Sequence, residues 1–189
     1  MAPAGNFESL QAAIDNGADS VYFGVDQLNM RARASINFTI ADLDEIARRC
    51  APKGIRTYLT LNTIIYDHDL SIIKTLLDAA KKAGLTAVIA MDQAVIAYAR
   101  QIGMEVHIST QINITNIETV RFYAMFADTM VMSRELSLRQ IKKICEQIEK
   151  EQIKGPSGNL VEIEIFGHGA LCMAVSGKCY LSLHSHNSS

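Results

Sequence analysis

The chain has 189 residues, 49% of them hydrophobic, and a formal net charge of -2. This length suffices for one sizeable core, and the near-neutral charge argues against a protein that binds nucleic acid mainly through bulk charge. No stretch of about 18 residues lacks a charge, and the chain opens with neither a basic region nor a long apolar run. We therefore expect a cytoplasmic protein without a membrane span.

The first half of the chain alternates β-rich runs with amphipathic helical patterns. Gly54 and Gly84 each stand between a helical pattern and the next strand, where glycine supplies the left-handed conformation that ends a helix. The predicted elements are a strand at 21–25, a helix face of Leu43, Ile46, Ala47 and Cys50, a strand at 55–61, a helix face of Leu70, Ile73, Leu76, Leu77 and Ala80, a strand at 87–91 and a helix at 93–101.

The second half continues the same alternation. Ser137 and Gln140 have the spacing of a capping box, which marks the start of a helix. The glycine-rich segment 155–159 predicts a turn before the last strand. The predicted elements are a strand at 106–109, a helix at 117–125, a strand at 129–132, a helix face of Leu138, Ile141, Ile144, Cys145 and Ile148, and a strand at 160–166.

Six strands that alternate with helices predict a parallel sheet with crossover helices. A (β/α)8 barrel and an open doubly wound sheet both fit this pattern. No Gly-x-Gly-x-x-Gly follows an early strand, which removes the main support for a dinucleotide-binding open sheet. A full barrel takes roughly 250 residues. We therefore predict an α/β fold of the incomplete (β/α)8 TIM type.

The predicted barrel forms one truncated N-terminal domain over 1–189, with no second domain. It is missing the start of strand 1, whose tail would be residues 2–5, and all of the eighth unit. An open parallel sheet leaves unpaired backbone groups at its edges. We therefore expect edge-mediated self-association.

Polar residues follow the predicted strands, at the end of the sheet where ligands bind in both architectures. Asn62 and Asp92 have a second interpretation as helix caps, and Arg31 and Arg33 as a solvated loop. Several amides and hydroxyls at a barrel mouth indicate a binding site. The polar residues are Asn29, Arg31, Arg33, Asn62, Asp92, Ser109, Thr110, Gln111, Asn113, Ser133, Arg134, Glu135, His168 and Gly169.

The four cysteines divide into two kinds. Cys50 and Cys145 lie on apolar helix faces, so we expect both to be buried and unligated. Cys172 and Cys179 follow the last strand in a loop rich in small residues, and thiolates bind soft metals. Their spacing matches no standard zinc site. A nucleophilic pair of Cys172 with His168 is an open alternative.

The segment that follows residue 163 resembles the signature of the collagenase-like peptidases, peptidase family U32. Blocks such as Pro3-Ala4-Gly5-Asn6 and His107-Ile108-Ser109-Thr110-Gln111 extend the resemblance over nearly the whole chain. The signature positions are met by Glu164, Phe166, Gly169, Ala170, Leu171, Cys172, Gly177, Cys179, Leu181 and Ser182.

The resemblance implies an enzyme. Members of the family act in oxygen-independent hydroxylation of tRNA uridine, a ribosomal RNA cytidine and ubiquinone precursors, with a 4Fe-4S cluster and, for some, prephenate as the hydroxyl source. Cys172 and Cys179 match the first two of four cluster ligands. The chain by itself is therefore expected to lack the cluster and to be inactive, although His184 or His186 could help to hold an adventitious ion.

We expect catalytic roles for three residues and binding roles for eight. The expected partners are a prephenate-like donor and an RNA or aromatic substrate. Peptidase activity, as in the family name, and a binding module without catalysis stay open as alternatives. The expected catalytic residues are His168, Glu164 and Asp92, and the expected substrate-binding residues are Asn29, Arg31, Arg33, Asn62, Thr110, Gln111, Asn113 and Arg134.

Overall fold

A computed structural model describes residues 1–25, 38–169 and 175 of the chain. The described residues divide into two compact units, one within Met1–Glu105 and the other within Val106–Ser189. The prediction that 1–189 forms one domain stays a prediction.

The strands of each unit pair in parallel and in chain order. In the first unit, Val21 pairs with Thr57 on the neighbouring strand. In the second unit, Thr129 pairs with His107 on one side and with Glu162 on the other. The strands are β1 (Ala2–Pro3), β2 (Ser20–Phe23), β3 (Arg56–Leu61), β4 (Ala87–Ala90), β5 (Glu105–Ile108), β6 (Thr129–Val131) and β7 (Glu162–Glu164).

A helix follows each of the first six strands, which gives the repeated βα unit of TIM-type folds. Among the caps, Ser137 and Gln140 form the predicted box, in which Ser137 N donates to Gln140 Oε1 at 2.9 Å. None of the helices within the described ranges has the length and apolar character needed to cross a membrane. The helices are α1 (Phe7–Asp15), α2 (Leu43–Cys50), α3 (Leu70–Ala83), α4 (Gln93–Gln101), α5 (Ile117–Ala124) and α6 (Leu138–Glu151).

These elements confirm the predicted fold class, an incomplete TIM-type α/β fold. Each of the six strands predicted from β-rich runs is present, with ends that differ by about two residues at most. The two-residue strand β1 lies where the sequence predicts the tail of strand 1.

The helices bury the apolar faces that their spacing predicts. In α3, Ile73, Leu76, Leu77 and Ala80 are each at most 1% exposed. Burial of each of the three larger side chains stabilises the fold by roughly 1.5–3 kcal/mol. The core of the first unit thus lies between the helices and the strands.

The two helix cysteines differ in burial. Cys50 is 1% exposed, as predicted, and burial raises the pKa of its thiol. Cys145 is only half-buried, so the prediction that both cysteines are buried was wrong for Cys145. Ile144 and Ile148 occupy the buried face of α6, and Cys145 lies about 100° further round the helix. Leu138, also predicted for this face, is 74% exposed in the first turn.

Candidate active site at the carboxyl ends of the strands

In the first unit, Asn62 follows β3 and Asp92 follows β4, and both are half-buried. Asp92 Oδ1 accepts a hydrogen bond from Ala94 N at 2.8 Å, which caps α4, and Oδ2 accepts one from Ile65 N at 3.3 Å. The capping role that the sequence left open for Asp92 is confirmed. Its carboxylate also ties the loop after β3 to the start of α4. A catalytic role for Asp92 stays a prediction.

In the second unit, the turn after β5 is hydrogen-bonded to the end of β6. Thr110 Oγ1 donates to Met132 O at 3.2 Å, and Ser133 Oγ donates to Asn113 Oδ1 at 2.7 Å. Asn113 has a φ of 64°, a conformation that Asn adopts more readily than most residues. Because its Oδ1 accepts from Ser133, the other end of the amide presents two N–H donors. Two predicted binding residues, Thr110 and Asn113, therefore share one fixed turn.

A buried imidazole and a carboxylate meet beside this turn. The side chain of His107, on β5, is 4% exposed, and that of Glu164, the last residue of β7, is 31% exposed. Nδ1 of His107 lies 3.8 Å from Oε2 of Glu164. In TIM-type folds, side chains from alternate strands share a layer on the inner face of the sheet. β5 and β7 are alternate strands, and the pair fits such a layer.

The pair has the chemistry of an acid–base site. A carboxylate can take up a proton from a bound substrate, and a neighbouring imidazole can orient that carboxylate. The distance of 3.8 Å exceeds that of a hydrogen bond. Hydrogen bonds between catalytic groups are often long in the free enzyme and tighten when substrate binds.

For three of the remaining predicted site residues, the structure gives a position and a burial. Gln111 is half-buried in the turn after β5, while Arg134 and His168 are exposed after β6 and β7. The roles assigned to the residues outside the described ranges stay predictions. Those residues are Asn29, Arg31, Arg33, Cys172 and Cys179.

Sequence reasoning did not select His107, nor did it select Ser133 as the partner of Asn113. A signal for His107 was present, because it lies between Val106 and Ile108 in a buried strand. Side chains alternate between the faces of a strand, so His107 had to point away from the face that packs on the helices. Its contact with Glu164 could not be predicted from the sequence, because the contact depends on the register of β5, β6 and β7.

Comparison with known proteins decides the family. A model of peptidase family U32 matches residues 5–189. The chain belongs to peptidase family U32. This U32 chain is 58% identical over 189 residues to a protein of Porphyromonas gingivalis named collagenase, covering 100% of the chain and 46% of that protein. It is 33% identical over 187 residues to tRNA hydroxylation protein P1 of Bacillus subtilis, covering 97% of the chain and 42% of that protein.

A solved structure supports the fold. The U32 chain matches the U32 peptidase Mk0906 with a TM-score of 0.65 at 11% identity, covering 90% of this chain and 93% of that chain. At this identity the likeness concerns the fold alone. The U32 chain spans less than half the length of the two curated relatives above.

Proposed function

We propose that the whole protein to which this U32 chain belongs is an iron–sulfur enzyme for oxygen-independent hydroxylation of an RNA base or a small aromatic molecule. The observation that carries the proposal is the contact of Glu164 with His107. Glu164 ends β7, and the segment with the two cysteines follows β7 in the sequence. An acid–base pair and a soft-metal ligand pair would thereby share one end of the fold. The relative named a tRNA hydroxylation protein supports the choice of an RNA base.

This chain can supply two of the four thiolate ligands of the proposed cluster. Cys50 and Cys145 lie on helices, whereas Cys172 and Cys179 follow β7 in sequence. A four-iron cluster takes four thiolates, so two further ligands would have to come from outside this chain. When bound, the cluster would supply the redox chemistry that oxygen-independent hydroxylation requires.

The residues of this chain have separate proposed roles. Glu164 would accept a proton from the bound substrate, and His107 would hold its carboxylate. The amide of Asn113 and the hydroxyl of Thr110 would bind polar groups of the substrate. The guanidinium groups of Arg31, Arg33 and Arg134 would bind either a phosphate of the substrate or the carboxylates of a prephenate-like donor. The arginine fork suits both kinds of oxyanion.

Iron content tests the cysteine assignment. Full-length protein purified without oxygen should carry about four iron and four sulfide per chain, and Cys172→Ala should lose most of both. Cys145→Ala is the matched control, because Cys145 lies half-buried on an outer helix, and it should keep the wild-type content. If metal and sulfide analysis found the wild-type iron content in Cys172→Ala, the assignment of Cys172 as a cluster ligand would be wrong.

A peptidase is the second candidate, because the relative that is 58% identical is named collagenase. Cys172 activated by His168 would be its nucleophile. Cleavage of denatured collagen by iron-free protein, abolished in both Cys172→Ala and His168→Ala, would favour this candidate over hydroxylation.

A further inference from the structure

The loop between β3 and α3 presents ring and apolar side chains to solvent. Ile64 and Tyr66 are each 62% exposed, and the side chain of His68 is 80% exposed. The loop follows the carboxyl end of β3, so it lies on the side of the first unit where ligands bind in parallel α/β folds. The other exposed large apolar residues in the described part of the first unit are Met1, at the terminus, and Ile72, on helix α3.

Hydrogen bonds hold this loop in one conformation. Asp69 Oδ2 accepts from Tyr66 N at 3.0 Å, and Tyr66 O accepts from Asp69 N at 2.8 Å. Asp69 Oδ1 also lies 3.5 Å from Nε2 of His68. Asp92, which caps α4, anchors the preceding residue Ile65. The exposed side chains are therefore displayed by a backbone that is already ordered, which lowers the entropy cost of binding.

The rings of Tyr66 and His68 are stacked in parallel. The planes of Tyr66 and His68 are 4° from parallel, with ring centroids 5.8 Å apart. Tyr66 remains 62% exposed in this arrangement, so a further planar group can reach its ring. Nucleic-acid bases stack on tyrosine and histidine in this way, and each stacked base contributes roughly 1–3 kcal/mol.

The charges around the rings select which part of an RNA would bind. Asp67 and Asp69 flank His68 in the sequence, and negative charge disfavours a phosphate group. A base face carries no charge, and the apolar side chain of Ile64 can contact it. The surface therefore fits an unpaired base rather than the backbone of a duplex.

We propose that Tyr66, with Ile64 and His68, forms a stacking platform for an unpaired RNA base after the carboxyl end of β3. The inference rests on the proposed function and narrows it, because it makes RNA, not a small aromatic molecule, the substrate. An unpaired base reaches such a platform without the cost of opening a duplex.

The test measures binding of the full-length protein to a fluorescein-labelled RNA stem–loop by fluorescence anisotropy. Tyr66→Ala should raise the Kd by about 5- to 150-fold, the range expected for one lost stacking contact. Tyr66→Phe should stay within about twofold of wild type, because stacking needs the ring and not the hydroxyl. His68→Ala, at a highly exposed position where folding is not at risk, should weaken binding by a smaller factor.

Two controls separate the platform from general effects. Phe122→Ala removes an aromatic side chain that is 53% exposed on helix α5 and should leave the Kd unchanged. The ratio of the Kd values of Tyr66→Ala and wild type should be the same at low and high salt, because no phosphate contact is lost.

Wild-type affinity in both Tyr66→Ala and His68→Ala would overturn the platform while leaving RNA hydroxylation in place. A loss as large in Tyr66→Phe as in Tyr66→Ala would also overturn it, since the hydroxyl would then be the contact. Failure of the wild-type protein to bind the RNA would overturn both the platform and the choice of RNA as substrate.

Discussion

Glu164→Gln in the full-length protein should lower the rate of product formation by about 10²- to 10⁴-fold, the range typical for loss of a general acid or base. The substitution keeps the size and shape of the side chain and removes its negative charge and its capacity to take up a proton. The KM should change little, because an amide still fills the position next to His107. The measurement is steady-state turnover of an RNA substrate under anaerobic conditions.

His107 should act through Glu164, so its variants should not add to the loss in Glu164→Gln. His107→Leu removes the nitrogen that faces the carboxylate, and it should lower the rate by about 2- to 150-fold, the range of coupling between contacting residues. His107→Asn keeps an amide nitrogen near the position of Nδ1 and should restore much of that rate. The double variant His107→Leu with Glu164→Gln should be about as slow as Glu164→Gln alone.

Fully additive losses in that double variant would show that the two residues act independently. Wild-type turnover in Glu164→Gln would show that the carboxylate takes no part in the reaction. Either result would contradict the role inferred from their contact.

Asp92→Ala should lower the free energy of unfolding by about 2 kcal/mol. Loss of a helix cap costs about 1 kcal/mol, and loss of the acceptor for Ile65 N costs a similar amount. Both hydrogen bonds come from the same carboxylate, one from each oxygen. Urea denaturation of the full-length protein measures the change.

Asp92→Asn separates the two hydrogen bonds. Asparagine caps helices as well as aspartate does, but its NH2 group cannot accept a hydrogen bond from Ile65 N. This variant should lose only about half of the stability that the alanine variant loses. Hydrogen exchange at the Ile65 amide should be faster than in wild type, while the start of α4 stays protected.

The same pair of variants tests the predicted catalytic role of Asp92. If the residue acts only through these hydrogen bonds, Asp92→Asn should keep turnover within about tenfold of wild type. A larger fall in turnover, in a variant that remains folded, would make Asp92 a proton donor or acceptor. Wild-type stability in Asp92→Ala would contradict the structural role.

Local pattern was enough to predict the elements of this fold. The face of Ile73, Leu76, Leu77 and Ala80 follows from helical spacing, because burial of such a face is what stabilises a helix in a protein. The start of α6 follows from the capping box, which is a contact within one turn. The buried face and the capping box both depend on residues a few positions apart, so both can be predicted directly from the sequence.

The site needed information that local pattern does not hold. His107 and Glu164 are far apart in sequence, and their contact depends on how β5, β6 and β7 are aligned. Ser133 binds Asn113 only because the turn after β5 folds onto the end of β6. Cys145 looked like a core residue because periodicity counts an apolar stripe but does not give its width.

Analysis of cellular RNA tests the proposed hydroxylation activity most directly. The gene for the full-length protein is deleted, the cells are grown without oxygen, and the nucleosides of their RNA are measured by mass spectrometry. We expect one nucleoside that is heavier by a single oxygen atom to disappear in the deletion strain, to return with the wild-type gene, and to stay absent with Cys172→Ala or Glu164→Gln. An unchanged set of hydroxylated nucleosides in the deletion strain would contradict hydroxylation of RNA by the full-length protein.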